Sequence, residues 1–106
     1  MDDITYQKLV DQAFRAIGDA LEDVDSDAID CETAGDVLTL TLRGARSCVV
    51  NTQRPTRQIW LAAASCGWHF AWDPVTARWV DGRGDELLST LARVVREGSG
   101  VDVAFR

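Results

Sequence analysis

The spacing of apolar residues changes twice along this chain, and these changes set the order of its secondary structure. Between about residues 3 and 22, apolar side chains recur every three or four positions, as in a helix with one buried stripe. From about residue 28 onward, they alternate with polar residues, as in strands with one buried face. A second helical stripe spans about residues 85–97. Helix, consecutive strands and helix together predict an α+β domain.

Turn residues divide the central part of the chain into strands. We expect strands at about residues 28–33, 37–43, 46–52, 57–63 and 68–72, with a short sixth strand that holds Trp79. Ala34-Gly35-Asp36 and Gly44-Ala45 mark turns, and Pro55 marks a break because proline cannot donate a ladder hydrogen bond. We therefore predict a two-layer α–β sandwich, with two helices on one face of an antiparallel sheet of five to six strands. The open face would carry Thr39, Thr41, Asn51, Gln53 and Trp60.

One strand places a tryptophan where a solvent-facing polar residue is expected. Ile59 and Leu61 share one face of this strand, so Trp60 points to solvent if they point to the core. A large exposed aromatic side chain among polar amides is typical of a binding surface. The alternative is an indole that lies flat on the sheet with Arg57 or Arg46 stacked on it.

Acidic residues are concentrated in the first third of the chain. Residues 1–36 hold 11 acids against Lys8 and Arg15, a local charge of -9, whereas residues 37–106 hold 6 acids and 9 arginines, a charge of +3. Such an acidic lobe repels nucleic acid and anionic membranes, and it attracts cations and basic protein surfaces. No apolar run reaches the ~20 residues of a membrane span, and no secretory signal precedes the first helix. We therefore expect a cytoplasmic protein.

Five of these acids follow one another closely at the end of the first helix and in the next loop: Asp19, Glu22, Asp23, Asp25 and Asp27. Their carboxylates are hard oxygen ligands of the kind that Mg²⁺, Ca²⁺, Mn²⁺ and iron prefer. Exposed carboxylates without a neighbouring histidine would bind such ions weakly and with little selectivity. A solvated acidic face without a metal role explains the same pattern, and both interpretations remain open.

The cysteines and the single histidine do not suggest a metal site. Cys31, Cys48 and Cys66 form no Cys-x-x-Cys pair, and we expect them to be small buried residues. Cys66 and His69 are three positions apart, so a strand would place them on opposite faces. We expect His69 to make an ordinary hydrogen bond.

Catalytic motifs are also missing from the sequence. There is no Gly-x-Ser-x-Gly motif and no phosphate-binding glycine loop, and the segment 82–85 is interpreted as a turn. Trp68, Trp72 and Trp79 are expected in the core or at its rim. We therefore predict no catalytic residues and no enzyme activity.

The segment 51–62 reads Asn-Thr-Gln-Arg-Pro-Thr-Arg-Gln-Ile-Trp-Leu-Ala. It resembles the signature Asn-x-Gln-x-Pro-x-x-Gln-x-Trp-Leu-Ala of the frataxin family, specifically of its bacterial, CyaY-type members. Every fixed position is present: Asn51, Gln53, Pro55, Gln58, Trp60, Leu61 and Ala62. The resemblance extends to the acidic first helix, Asp30-Cys31-Glu32, Gly67-Trp68-His69-Phe70, Trp79 and Phe105-Arg106. It implies a single frataxin-like domain over residues 1–106.

The resemblance also implies a function, that of an iron-binding, non-catalytic regulator of iron–sulfur cluster assembly. In frataxins an acidic ridge binds iron (Fe²⁺ or Fe³⁺) weakly and reversibly, and other divalent cations can substitute. The metal-binding positions implied in this chain are Asp3, Asp19, Glu22, Asp23, Asp25 and Asp27. The partners implied are the cysteine desulfurase and the iron–sulfur scaffold protein, contacted through Glu22, Asp23, Asp25, Asn51, Gln53 and Trp60.

Two other functions remain as alternatives to the regulator. One is an iron donor or store with weak ferroxidase activity, which would need carboxylates that converge on a di-metal centre. The other is an acidic interaction module without a metal role. We expect a monomer, and the sequence leaves open whether iron drives self-association.

Overall fold

The computed structural model describes residues 1–44 and 46–105. They form helices α1 (Asp3–Leu21) and α2 (Leu87–Ser99) and strands β1 (Ile29–Ala34), β2 (Val37–Leu42), β3 (Arg46–Gln53), β4 (Gln58–Ala63), β5 (Cys66–Asp73) and β6 (Arg78–Val80). A single 3-10 turn, Arg54–Thr56, separates β3 from β4. The described strands lie in chain order in one antiparallel sheet. The predicted two-layer sandwich is confirmed.

The helices bury the stripes that their periodicity predicts. On α1, Tyr6, Val10 and Ile17 are buried, and the Asp2 side chain caps the helix by accepting a 2.7 Å hydrogen bond from the backbone N–H of Thr5. The prediction that α2 starts at residue 85 is wrong by two residues. Glu86 is the N-cap instead, because its carboxylate accepts hydrogen bonds from the N–H groups of residues 88 and 89.

The inward faces of the strands form the core against the helices. Ile59 and Leu61 are buried, so the predicted direction of β4 is confirmed. Strand β5 begins at Cys66, two residues before its predicted start. The reason is a two-residue turn, in which Ala64 has a φ of +51°, that brings Ala63 and Cys66 into register. Helix α2 also ends two residues later than predicted, at Ser99, because Gly100, with a φ of +76°, forms its C-cap. The other predicted boundaries agree with the structure to one residue.

Several parts of the chain close the ends of this core. Helix α2 lies close to the sheet at Gly98, whose α-carbon faces the side chain of Leu42. Val101, Val103 and Phe105 pack back against the core. Of the predicted turn at Gly44-Ala45, the second residue lies outside the described part of the chain. Neither helix within residues 1–44 and 46–105 combines the length and apolarity needed to cross a bilayer.

Candidate functional site

Five exposed carboxylates, which we call the acidic ridge, cluster where α1 ends and the chain turns toward β1. They belong to Asp19, Glu22, Asp23, Asp25 and Asp27. Hydrogen bonds within the loop fix its path: the Asp25 carboxylate accepts one from the backbone N–H of Asp27 at 3.0 Å, and the Asp25 carbonyl accepts two more from residues 28 and 29. The loop is therefore an ordered turn, and its acids lie at defined positions beside the end of the helix.

The acidic ridge is electrostatically uncompensated within the described residues. The ion pairs found there are Arg54–Asp36, Arg57–Asp3, Arg83–Asp81 and Arg96–Asp102, and none involves an acid of the ridge. The last turn of α1 also lacks a basic residue, although the negative end of a helix dipole favours cations there. The ridge is thus a region of negative potential that is suited to cations or to a basic protein surface.

The donor set of the ridge fits a loosely held hard cation. Its ligands are carboxylate oxygens, which suit Fe²⁺, Fe³⁺ and Mg²⁺. Within residues 1–44 and 46–105, no three His, Cys, Asp or Glu side chains are arranged as a metal-holding group. The described carboxylates of the ridge thus have the donor chemistry for a hard cation but are not arranged as a preformed site.

Asp3 does not lie with the other predicted metal ligands. It is the first residue of α1, and the rise of an α-helix places it about 24 Å from Asp19. Its carboxylate instead forms a 2.8 Å ion pair with the guanidinium of Arg57. The structure therefore separates Asp3 from the ridge and joins it to the segment between β3 and β4.

The open face of the sheet carries Trp60 between two cross-strand neighbours. In register, Asn51 on β3 lies on one side of Trp60 and His69 on β5 lies on the other. The indole Nε1–H donates a 2.8 Å hydrogen bond to the side-chain oxygen of Gln58. The imidazole of His69 stacks on the indole, with ring centroids 4.0 Å apart and planes 13° apart. Trp60 is half-buried and held in one orientation.

The segment that links β3 and β4 is fixed to the N-terminal end of α1. The Tyr6 hydroxyl donates a 2.6 Å hydrogen bond to the Gln58 carbonyl and accepts one of 3.2 Å from the Gln53 N–H. Arg57, at a φ of +56°, lies over the Tyr6 ring at 5.9 Å. Burial raises the pKa of Tyr6, which keeps its hydroxyl protonated as a donor. Gln53, Gln58 and Trp60 are thereby positioned from α1.

Comparison with known proteins identifies the fold and family of this arrangement. A model of the frataxin-like domain matches residues 1–100 of the chain. The chain belongs to the frataxin-like family. It is 37% identical over 101 residues to the iron–sulfur cluster assembly protein CyaY of Azotobacter vinelandii, covering 94% of this chain and 91% of that protein.

Solved structures of frataxins match the same fold. The frataxin of Psychromonas ingrahamii superposes with a TM-score of 0.90 at 30% identity, over 100% of this chain and 99% of that one. A trimeric frataxin of the yeast Saccharomyces cerevisiae, complexed with ferrous iron, matches with a TM-score of 0.73 at 30% identity, over 88% of this chain and 87% of that one.

In this frataxin-like chain, the side chain that stacks on Trp60 is neither Arg57 nor Arg46, the two arginines that the sequence suggested. Arg57 lies over Tyr6, and His69 occupies the stacking position on the indole. His69 therefore contributes an aromatic stack, where the sequence predicted an ordinary hydrogen bond. The two-residue turn before Cys66 was the signal that could have revealed this pair, because it sets the register that places residue 69 opposite residue 60.

The cysteines of this frataxin-like chain differ in their exposure. Cys48 is buried and Cys31 is half-buried, as expected, but Cys66 is exposed, so the prediction of three buried cysteines is wrong. Cys66 begins β5 directly after a turn, at the end of the strand. Burial raises the pKa of Cys48 to about 12, so this thiol stays protonated at neutral pH. Cys66 and His69 lie on opposite faces of β5, as predicted.

Proposed function

We propose that this chain is a non-catalytic, iron-responsive adaptor of bacterial iron–sulfur cluster assembly in the cytoplasm, and that it binds the cysteine desulfurase together with its scaffold protein. One observation carries the proposal: the acids continue from the ridge onto the face that holds Trp60. Asp30 and Glu32 are exposed on the open side of β1. Strand β1 lies three strand-to-strand spacings, or about 14 Å, from β4. A single basic partner surface could therefore contact both features at once.

The acidic ridge supplies the electrostatic part of the proposed mechanism. Its five exposed carboxylates form no ion pairs among the described residues. They therefore attract a basic surface from a distance and increase the association rate. Fe²⁺ is the ion that the chain would carry or sense. When the carboxylates hold it, part of the negative charge is neutralised, and the attraction for the basic partner falls. Iron occupancy would thereby tune the association.

Trp60 and its neighbours supply the short-range part. The indole is already held by Gln58 and His69, so binding freezes little additional side-chain motion. Asn51 and Gln53 are half-buried beside it on the same face, and they offer amide groups around an apolar centre. An aromatic residue with polar surroundings is the usual composition of an interface hot spot.

Calorimetry with the cognate cysteine desulfurase tests the proposal. The variants are Glu22→Lys with Asp23→Lys for the ridge, and Trp60→Ala for the sheet. A control reverses two exposed acids of α2 and the tail that follows it, Glu97→Lys with Asp102→Lys, so that the change in net charge is the same, although it also removes the Arg96–Asp102 ion pair. We expect the ridge variant to abolish measurable binding, Trp60→Ala to weaken it at least about tenfold, and the control to bind more tightly than the ridge variant.

Three results would contradict the iron-responsive adaptor. If wild type does not bind the desulfurase with or without Fe²⁺, the partner assignment fails. If both charge-reversed variants lose affinity equally, net charge and not the acidic ridge controls the association. If binding occurs but Fe²⁺ does not alter it, the chain is an acidic interaction module without a metal role.

Iron storage or donation is a second candidate, favoured by the yeast relative that is trimeric and complexed with ferrous iron. It predicts that Fe²⁺ drives assembly of this chain and that Fe²⁺ oxidation by oxygen exceeds the protein-free rate. Sedimentation velocity with and without Fe²⁺, together with oxygen consumption, tests both. A chain that stays monomeric and does not accelerate oxidation would rule out this role.

A further inference from the structure

His69 covers part of the residue at the centre of the proposed docking surface. Its ring is exposed and lies nearly parallel to the indole of Trp60, with centroids 4.0 Å apart. Because the two residues are directly paired across β4 and β5, the stack is built into the sheet register. One face of the indole is therefore occupied by an imidazole before any partner arrives.

The immediate register neighbours of His69 on the open face of β5 and β4 are uncharged. Its own strand contributes Gly67 and Ala71 on the same face, and β4 contributes Gln58 and Ala62 beside Trp60. The charged residues in the adjoining register are Asp73 and Arg78, which pair with each other on β5 and β6, and Glu86, which is bridged to Val80. The turn after β6 adds three more: Asp81, Arg83 and Asp85. Of these, the Asp81 carboxylate already accepts hydrogen bonds from the N–H groups of residues 83 and 85 and lies 3.5 Å from the Arg83 guanidinium.

We propose that His69 is a further partner-binding residue, and that its protonation lowers the affinity of the Trp60 surface for a basic partner. This inference rests on the docking function proposed above. Histidine is the side chain that ordinarily changes charge between about pH 5 and 8. His69 is also the only histidine of the chain.

Two effects of protonation act in the same direction. A partner that the acids attract brings arginine or lysine side chains, and such cations bind favourably over an indole face. A protonated imidazole is itself a cation on that face, so it stacks more strongly on Trp60 and competes with the incoming side chain. It also adds a positive charge that repels the basic surface.

The coupling between the two rings can be tested without a partner. NMR would follow the His69 ring protons and the Trp60 indole Nε1–H from about pH 8 to pH 5. We expect the indole signal to shift with the same midpoint as the histidine signal. In His69→Phe, which keeps an aromatic ring but cannot take up a proton, that shift should vanish. An indole signal that does not follow His69 would overturn the inference.

Partner binding provides the second test, with the cognate cysteine desulfurase as the probe at about pH 8 and about pH 6. Wild type should lose about two- to fivefold more affinity on acidification than His69→Phe, the range that an exposed cation–π contact supports. Comparing the two variants removes the contribution of groups that titrate on the desulfurase. His69→Lys, which is permanently cationic, should bind weakly at both pH values.

The outcomes separate this inference from the docking function. If wild type and His69→Phe respond equally to pH, His69 is not the switch, although docking itself stands. If wild type binds at neither pH, the docking function fails and this inference fails with it. His69→Gln serves as a second non-titrating variant, and circular dichroism checks that each variant is folded.

Discussion

The hydroxyl of Tyr6 on α1 donates a 2.6 Å hydrogen bond to the backbone carbonyl of Gln58, which lies 52 residues later at the start of β4. The same oxygen accepts the N–H of Gln53 at the end of β3. One side chain of the helix layer therefore closes the loop that precedes Trp60. The helix layer and the proposed docking face are coupled through this contact.

Tyr6→Phe should destabilise the fold by about 1–3 kcal/mol, because it leaves the Gln53 N–H and the Gln58 carbonyl without their partner. Urea denaturation gives the free energy of unfolding. Thr56→Val is the control in the same segment, since the Thr56 hydroxyl is exposed, and its effect should stay within about 0.5 kcal/mol. A similar effect for both variants would show that the Tyr6 hydroxyl contributes no special stability.

Asp3 should contribute less to cation binding than the acidic ridge. Asp3 is about 24 Å from Asp19 along α1 and is paired with Arg57. We therefore expect Asp3→Asn to leave the NMR shifts that Fe²⁺ or Mg²⁺ induces at residues 19–27 unchanged, whereas Glu22→Gln with Asp23→Asn should reduce them. The two variants remove only formal charge and keep side-chain size. If both variants reduced the metal-induced NMR shifts equally, Asp3 would belong to the metal site.

Association with the basic partner should be strongly salt-dependent. Raising the ionic strength from about 0.1 to 1 M shortens the Debye length from about 10 to 3 Å, which screens the ridge. Stopped-flow association rates should fall steeply over this range for wild type. Trp60→Ala should keep the same salt slope with a faster dissociation rate, since it removes a short-range contact. A flat salt profile for wild type would exclude steering by the acids.

Gly98 and Gly18 offer a matched test of helix packing. An added methyl group at Gly98 would overlap the Leu42 Cδ1 atom and approach its Cβ and Cγ atoms to 3.5 Å, whereas nothing lies within 4 Å of the position at Gly18. Gly18→Ala should stabilise the protein by about 0.5–1 kcal/mol through helix propensity. Gly98→Ala should destabilise it by about 1 kcal/mol or more despite the same propensity gain. Thermal unfolding measures both, and a stabilising Gly98→Ala would contradict the tight approach of α2.

Stability should decline in alkali because of Cys48. Its pKa is raised to about 12 in the folded state by burial, so the unfolded chain loses this proton first. The free energy of unfolding should therefore fall as pH rises above about 9, and the loss should level off near the folded pKa. Denaturation between about pH 8 and 10 should show a shallower decline in Cys48→Ala than in wild type. Cys66→Ala, at an exposed position, should keep the wild-type slope.

The sequence alone predicted the order of the elements, the inward direction of Ile59 and Leu61, and the place of Trp60 on the open face. These features follow from the local periods of helix and strand, which bury one side of each element whatever its neighbours are. The signature around Trp60 likewise indicated the family. Local chemistry also explains the cap at Asp2 and the turn at residues 82–85.

Only the tertiary structure determined the pairing of side chains from distant positions. The stack of His69 on Trp60 requires the register of β4 and β5, and this register depends on a turn that the apolar pattern does not mark. The separation of Asp3 from the ridge, and its pairing with Arg57, follows from the length of α1 and from the way the β3–β4 segment packs beside its first turn. Periodicity specifies which side of an element is buried, whereas contacts across elements depend on register and packing, which the whole chain determines together.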